Sequence, residues 1–227
     1  MEQLTLFIAA IVLALGIALR VFAQKFGAMA KPPLRIQLVP VDDRAKGRFA
    51  DPHRRELESL GFTPMGTYQV REMPGVTLVA FTQSFQAVCA VVYRHPLAGV
   101  FIDMVSATED DRGLTVTNAP AGGNLDQPPG RAKIFEPKAR LRRLYDRLVS
   151  ERPAGPYQRI DASNFMRVFE AEYAREMEWR QKRGGPTEEE VRREAHAMGI
   201  RNEKMIQKAT QNLRKQYSEP DQPTGVR

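Results

Sequence analysis

Residues 87–93 read Ala-Val-Cys-Ala-Val-Val-Tyr, and the fold turns on how this run is read. Successive side chains of a strand point to opposite faces, so Ala87, Cys89, Val91 and Tyr93 share one face and Val88, Ala90 and Val92 the other. Both sets are apolar. The run therefore predicts a central strand covered at least partly on both sides. Outward from it, residues 62–118 are rich in Val, Thr, Phe and Tyr and are broken by turn signals at Pro74-Gly75, His95-Pro96 and Asp111-Arg112-Gly113. The pattern predicts strands over 34–41, 66–71, 76–82, 87–94, 99–107 and 114–117. Their short connections imply an antiparallel meander.

Helical signals frame this region. Asp51-Pro52 opens a helix to Leu60, with Asp51 as N-cap, Pro52 in the first turn and Gly61 at the stop. Residues 118–130 form a Gly/Pro-rich loop. A basic helix follows over 137–150, whose Leu141, Leu144, Tyr145 and Leu148 recur at helical spacing and are expected to pack on the sheet. A longer helix is expected over 162–183, capped by Asp161 or Ser163 and ended by Gly184-Gly185-Pro186. Thr187 and Glu190 have the spacing of a capping box and start another helix, and a last one is expected over 202–217.

The amino terminus has a different character. Leu4 to Leu19 contains no charge, and passing Arg20 extends the apolar run to Ala23, about the 20 residues that cross ~30 Å of hydrocarbon. Arg20 near one end can snorkel to the headgroups. Glu2 precedes the span, whereas Arg20, Lys25, Lys31 and Arg35 follow it with no acid before Asp42. The positive-inside rule then puts the carboxy-terminal side in the cytoplasm, at a cell (inner) membrane. A cleaved signal peptide ending near Ala23 is the rival reading, against which stand an amino-terminal flank without Lys or Arg and the position of Arg20.

The expected fold class is thus α+β. An N-terminal single transmembrane helix (residues 1–26) and a linker (27–33) lead to an antiparallel sheet packed with helices (34–152), a C-terminal α-helical extension (157–217) and a disordered tail (218–227). The 42% hydrophobic and 27% charged content of the 227 residues is that of a globular chain. The net charge of +7 is uneven: +3 over 1–35, −3 over 36–130, +6 over 131–183 and +1 over 184–227. Cations beside a membrane segment have a ready use in anionic lipid, and no nucleic-acid recognition module accompanies them. One cysteine and three histidines cannot form a disulfide or a Cys/His zinc site within the chain.

Few residues suggest chemistry. Cys89, His95 and Asp103 fall on neighbouring strands, as a nucleophile, base and orienter would, yet a cysteine in an apolar strand is ordinarily a small buried hydrophobe. Asp42-Asp43 and Glu109-Asp110-Asp111 lack the ligand spacing of a calcium loop. Gly122-Gly123 lacks the Lys-Ser/Thr of a phosphate loop. No catalytic, cofactor-binding or metal-binding residue is therefore assigned, and no cofactor is expected. Lys138, Arg140, Arg142, Arg143 and Arg147 are candidates for contact with an anionic surface. Phe165, Phe169, Tyr173, Met177 and Trp179 are either packed on their own domain or form a partner-binding face. The expectation is a membrane-anchored cytoplasmic interaction or scaffold protein without catalytic activity, with a protein partner or self-association. The alternative is a small-ligand or lipid-binding module with a pocket between helix and sheet.

Overall fold

A computed structural model describes residues 33–96, 98–120 and 124–218. The expected membrane segment Leu4–Ala23, residues 27–32 of the linker, Gly122-Gly123 and the tail beyond 218 lie outside the described residues. Among the described residues no helix is long and apolar enough to cross a membrane.

The elements in chain order are β1 (Leu38–Val41), α1 (Asp43–Lys46), a single 3-10 turn at Arg48–Ala50, α2 (Asp51–Ser59), β2 (Thr63–Val70), β3 (Thr77–Gln83), β4 (Val88–His95), β5 (Gly99–Ala107), β6 (Gly113–Thr117), β7 (Arg131–Phe135), α3 (Leu141–Glu151), α4 (Phe165–Lys182), α5 (Glu188–Ala197) and α6 (Glu203–Ser218). The seven strands lie side by side in sequence order. The class is α+β, with a mixed sheet packed by helices.

The sheet departs from the expected meander at one edge. β1 to β6 pair antiparallel, but β7 joins β6 in parallel, with Gly113 opposite Arg131 and Thr117 opposite Phe135. A parallel neighbour needs a crossover of a dozen or more residues, which the Gly/Pro-rich stretch 118–130 supplies. β7 is short and carries Arg131 and Lys133, so its sequence has little apolar signature.

β4 is central and covered on both faces. Val88, Ala90 and Val92 lie in one core with Val79, Phe81, Ile102, Met104, Leu57, Leu141, Leu144 and Leu148. This core is closed by α2 and α3, so the expected leucine stripe does pack on the sheet. Cys89 and Val91 face the other core, with Leu38, Tyr68, Leu78, Ala80 and Phe165. That side is closed by α4. Each large side chain buried in these cores contributes roughly 1.5–3 kcal/mol.

α4 is held by both edges of the sheet. The Leu38 amide of β1 donates to Glu170 (2.7 Å), and Arg131 of β7 donates to Glu172 (2.8 Å). Seven strands laid flat would span ~29 Å at ~4.8 Å each, whereas a helix is about 10 Å across. Contacts from both edges to one helix therefore require the sheet to curl around α4. Phe165, Phe169 and Tyr173 of α4 share a core with the sheet.

Helix termini follow partly different rules from those expected. The α5 capping box is present: Thr187 Oγ1 accepts from the Glu190 amide (3.2 Å) and Glu190 Oε2 from the Thr187 amide (2.6 Å). At α2 the N-cap position is Ala50, with Asp51 already helical, and no side chain caps it. α4 starts at Phe165, where Asn164 occupies the N-cap without a side-chain bond. Asp161 instead organises the preceding turn, accepting from the Ser163 amide at 2.8 Å. At the α4 stop, Gly185 has φ +84°, and a Cβ there would approach the Tyr217 ring to 2.7 Å. Only glycine permits that backbone and lets α6 pack so closely.

Candidate functional site

Cys89 and His95 share β4 but stand about 20 Å apart at ~3.3 Å per residue. They cannot form a nucleophile and base pair. Cys89 is buried, and burial, with a smaller contribution from the Asp103 charge, pushes its thiol up to about 12. A protonated thiol is neither a nucleophile nor a metal ligand at neutral pH. The Nδ1 atom of His95 accepts from the Ala98 amide (3.1 Å), the bond of a turn residue.

Asp103 sits opposite Val91 and Thr117 on the face beneath α4. Burial raises its pKa, while hydrogen bonds from Thr117 and Tyr93 and the charge of Lys133 act against the rise. Burial also raises Tyr93, followed by the effect of the Asp103 charge. On the α4 side, burial would raise Glu176, but Lys133 and Arg180 outweigh it and hold the carboxyl below its usual range. The result is a polar cluster of Tyr93, Asp103, Thr117, Lys133 and Glu176 whose partners come from within the fold. Its chemistry is that of a satisfied interior network.

The acidic turns are similarly engaged. Asp42 accepts from the Arg44 amide at 2.9 Å and caps α1, Asp43 pairs with Arg54 (3.0 Å), and Asp111 pairs with Arg131 (2.8 Å) and Arg175. Among the described residues no group of three or more His, Cys, Asp or Glu side chains is arranged to hold a metal ion.

The helix expected over 137–150 begins only at Leu141, so Lys138 and Arg140 lie in the turn before α3, while Arg142, Arg143 and Arg147 are on it opposite the leucine stripe; all five are exposed. Arg142 pairs with Asp146 (3.0 Å), Arg143 with Glu136, and Arg147 with Glu151 (2.8 Å). Lys138 and Arg140 make no ion pair among the described residues. Of the aromatic and Met residues of α4, Phe165 and Met177 are buried, and Phe169 and Tyr173 pack against the sheet core. Phe165 lies 5.3 Å from the Tyr68 ring and Phe169 6.5 Å from the Tyr93 ring, centroid to centroid. Trp179 is half-buried, with the Arg183 guanidinium 4.5 Å from its ring.

Three features of the surface were not apparent from the sequence. Phe85 is 94% exposed at the tip of the β3–β4 turn. The turn is held by Arg152, which donates to the Gln86 carbonyl and side-chain amide, and by Ala87 at φ +50°. Second, a groove of about 520 Å³ runs between Arg35–Gln37 and the α4 residues Met166, Glu170 and Ala174. Third, the two ends of the sheet differ in charge. At the end where the chain enters, Leu38 faces Val70, Thr77 faces Arg94, and Arg94 faces Val100. Residues 138–140 belong to this end, because Asn118 donates to the Ala139 carbonyl (3.2 Å) and accepts from the Ile102 amide (2.7 Å). Arg71, Arg94, Lys138 and Arg140 are exposed there, and the acids at this end, Glu72 and Glu136, are engaged by the Gln37 amide and by Arg143 and Arg147. The opposite end mixes Glu109, Asp110, Asp111 and Glu151 with Arg112, Arg131 and Arg152. Arg71 and Arg94 gave no signal in the sequence, because only the fold gathers them at the same end as Lys138 and Arg140.

No protein-family model matches the chain, and no curated protein or solved structure is significantly similar to it.

Proposed function

We propose that this chain is a membrane-anchored interaction module, with its α+β unit on the cytoplasmic side of a bacterial-type inner membrane, acting by binding and not by turnover. The observation that carries the reading is that α4 fills the curled face of the sheet with Phe165, Phe169 and Tyr173, where a catalytic or ligand cavity would otherwise lie. The polar groups beneath it answer one another, and the one thiol is held protonated. What remains for function is surface: an exposed Phe85, an exposed basic end and the tether expected from residues 4–23.

The test is a photo-crosslinking residue placed at position 85 and, separately, at Met198, an exposed apolar residue at the end of α5, in the full-length protein in cells, followed by mass spectrometry. A defined partner, or a second copy of the chain, crosslinked from one position and not the other supports the module. Products indistinguishable from those of a control position in the α3 stripe would contradict it. The alternative, a small-ligand or lipid-binding module, has the groove beside Arg35 in its favour. A stoichiometric ligand in native mass spectra of the full-length protein, lost when Ala171 in the α4 wall of that groove is changed (Ala171→Trp), would establish that alternative.

A further inference from the structure

We infer that the end of the sheet bearing Arg71, Arg94, Lys138 and Arg140 is a docking surface for anionic lipid, so that the folded unit lies against the membrane in a fixed orientation. The inference rests on the tether proposed above and deepens it. Three observations converge.

The first is charge: four exposed cations lie at this end, and its acids Glu72 and Glu136 are already engaged, Glu72 by the Gln37 amide at 2.7 Å and Glu136 by Arg143 and Arg147. Near an anionic surface each cation gains ~1 kcal/mol, about a fivefold change in an equilibrium. Lys138 and Arg140 can give that gain in full, because they have no acid to leave among the described residues. The second is geometry. The chain enters the sheet at this end through Leu38, and residues 24–33 reach at most about 35 Å when fully extended. The opposite end lies a further ~20 Å away along β3, so the basic end meets the bilayer with the least of the leash drawn out. The third is an apolar group at the same place: Val100, 47% exposed and opposite Arg94, can enter the headgroup layer between the cations. The end of the sheet that carries Phe85 has mixed charge and then points away from the lipid, free for a protein partner.

The experiment uses the full-length chain reconstituted in vesicles of phosphatidylcholine, with or without phosphatidylglycerol. A polarity-sensitive fluorophore is attached through Val100→Cys or, at the far end, Phe85→Cys; the buried Cys89 does not compete for label. With phosphatidylglycerol present, a headgroup-bound quencher should reduce emission at position 100 and leave position 85 unchanged. High salt or K138E/R140E should reverse the quenching, each charge removed lowering the docked-to-free ratio roughly fivefold, whereas K138R should retain it. Equal quenching in phosphatidylcholine alone, indifference to salt, or quenching at 85 in place of 100 would overturn the inference. An alkaline carbonate wash separates the two claims. Chain that stays in the vesicles with position 100 unquenched refutes docking alone, while chain that washes out refutes the tether and docking together.

Discussion

A carboxylate oxygen of Glu190 lies 3.2 Å from the guanidinium of Arg183, and Glu190 itself has no solvent exposure. The same side chain accepts from the Asp126 amide at 2.8 Å, and Asp126 in turn pairs with Arg183 (3.3 Å) and Arg193. Arg180, also buried, donates to Glu176 at 2.8 Å and to the Asp126 carbonyl at 3.0 Å. One buried carboxylate therefore joins the end of α4, the start of α5 and the crossover that leads to β7.

Glu190→Ala is expected to cost about 3–5 kcal/mol, because removing one partner of a buried pair strands the other charges and two amide donors. Hydrogen exchange should show protection lost first in residues 188–218 while β3 to β5 remain protected. Uniform loss across the sheet would show that α5 and α6 do not form a separable layer.

Leu144→Ala should destabilise by about 2–5 kcal/mol, since Leu144 is fully buried among Phe81, Met104 and Val116. Urea denaturation of the full chain checks the value. A loss below ~1 kcal/mol would mean that α3 is not a wall of the core.

Two phenylalanines should behave oppositely. Phe165→Ala, in the core beneath α4, is expected to lose about 3–5 kcal/mol. Phe85→Ser, at an exposed turn, should stay within ~0.5 kcal/mol of the parent while weakening any crosslink made from the neighbouring exposed Ser84. Thermal melts and the crosslinking assay together separate the packing role from the binding role.

The pH dependence of Asp103 has a definite sign. Its folded pKa lies above its unfolded value, so its contribution to stability is fully present below the ordinary carboxylate range and declines as pH rises through the raised folded value. Glu176 is shifted the other way, and its contribution is lost as pH falls. Asp103→Asn should therefore flatten the decline of stability above about pH 4 without removing the loss at acid pH. Urea midpoints of parent and variant across pH measure this; parallel curves would show that Asp103 is not raised.

Cys89 should resist thiol reagents in the folded protein and react on unfolding, because its thiol is pushed up to about 12 in the core. Rapid labelling under native conditions would contradict its placement.

How much of this was legible depends on whether the cause is local. The run at 87–93 revealed β4 and its two covered faces, because burial on both sides needs only apolar residues in succession. The Thr187 and Glu190 capping box was likewise readable from four adjacent positions. What the sequence could not show is that Glu190 also anchors the α5 turn to Asp126, 64 residues away. β7 escaped because Arg131 and Lys133 break its pattern and its pairing depends on a crossover. The aromatic stripe of α4 was readable as a face, but only the curl of the sheet decides that Phe165 and Phe169 face inward. The grouping of Arg71 and Arg94 with Lys138 and Arg140 likewise exists only through the fold.

The central claim is a tethered, cytoplasmic module, and topology tests it most directly. A protease added to intact spheroplasts and to inverted membrane vesicles carrying the full-length chain with a carboxy-terminal tag should remove the tag only in the inverted vesicles, with the amino-terminal segment retained in the mature protein. Digestion of the tag in spheroplasts, or a mature chain that begins after Ala23, would contradict the account.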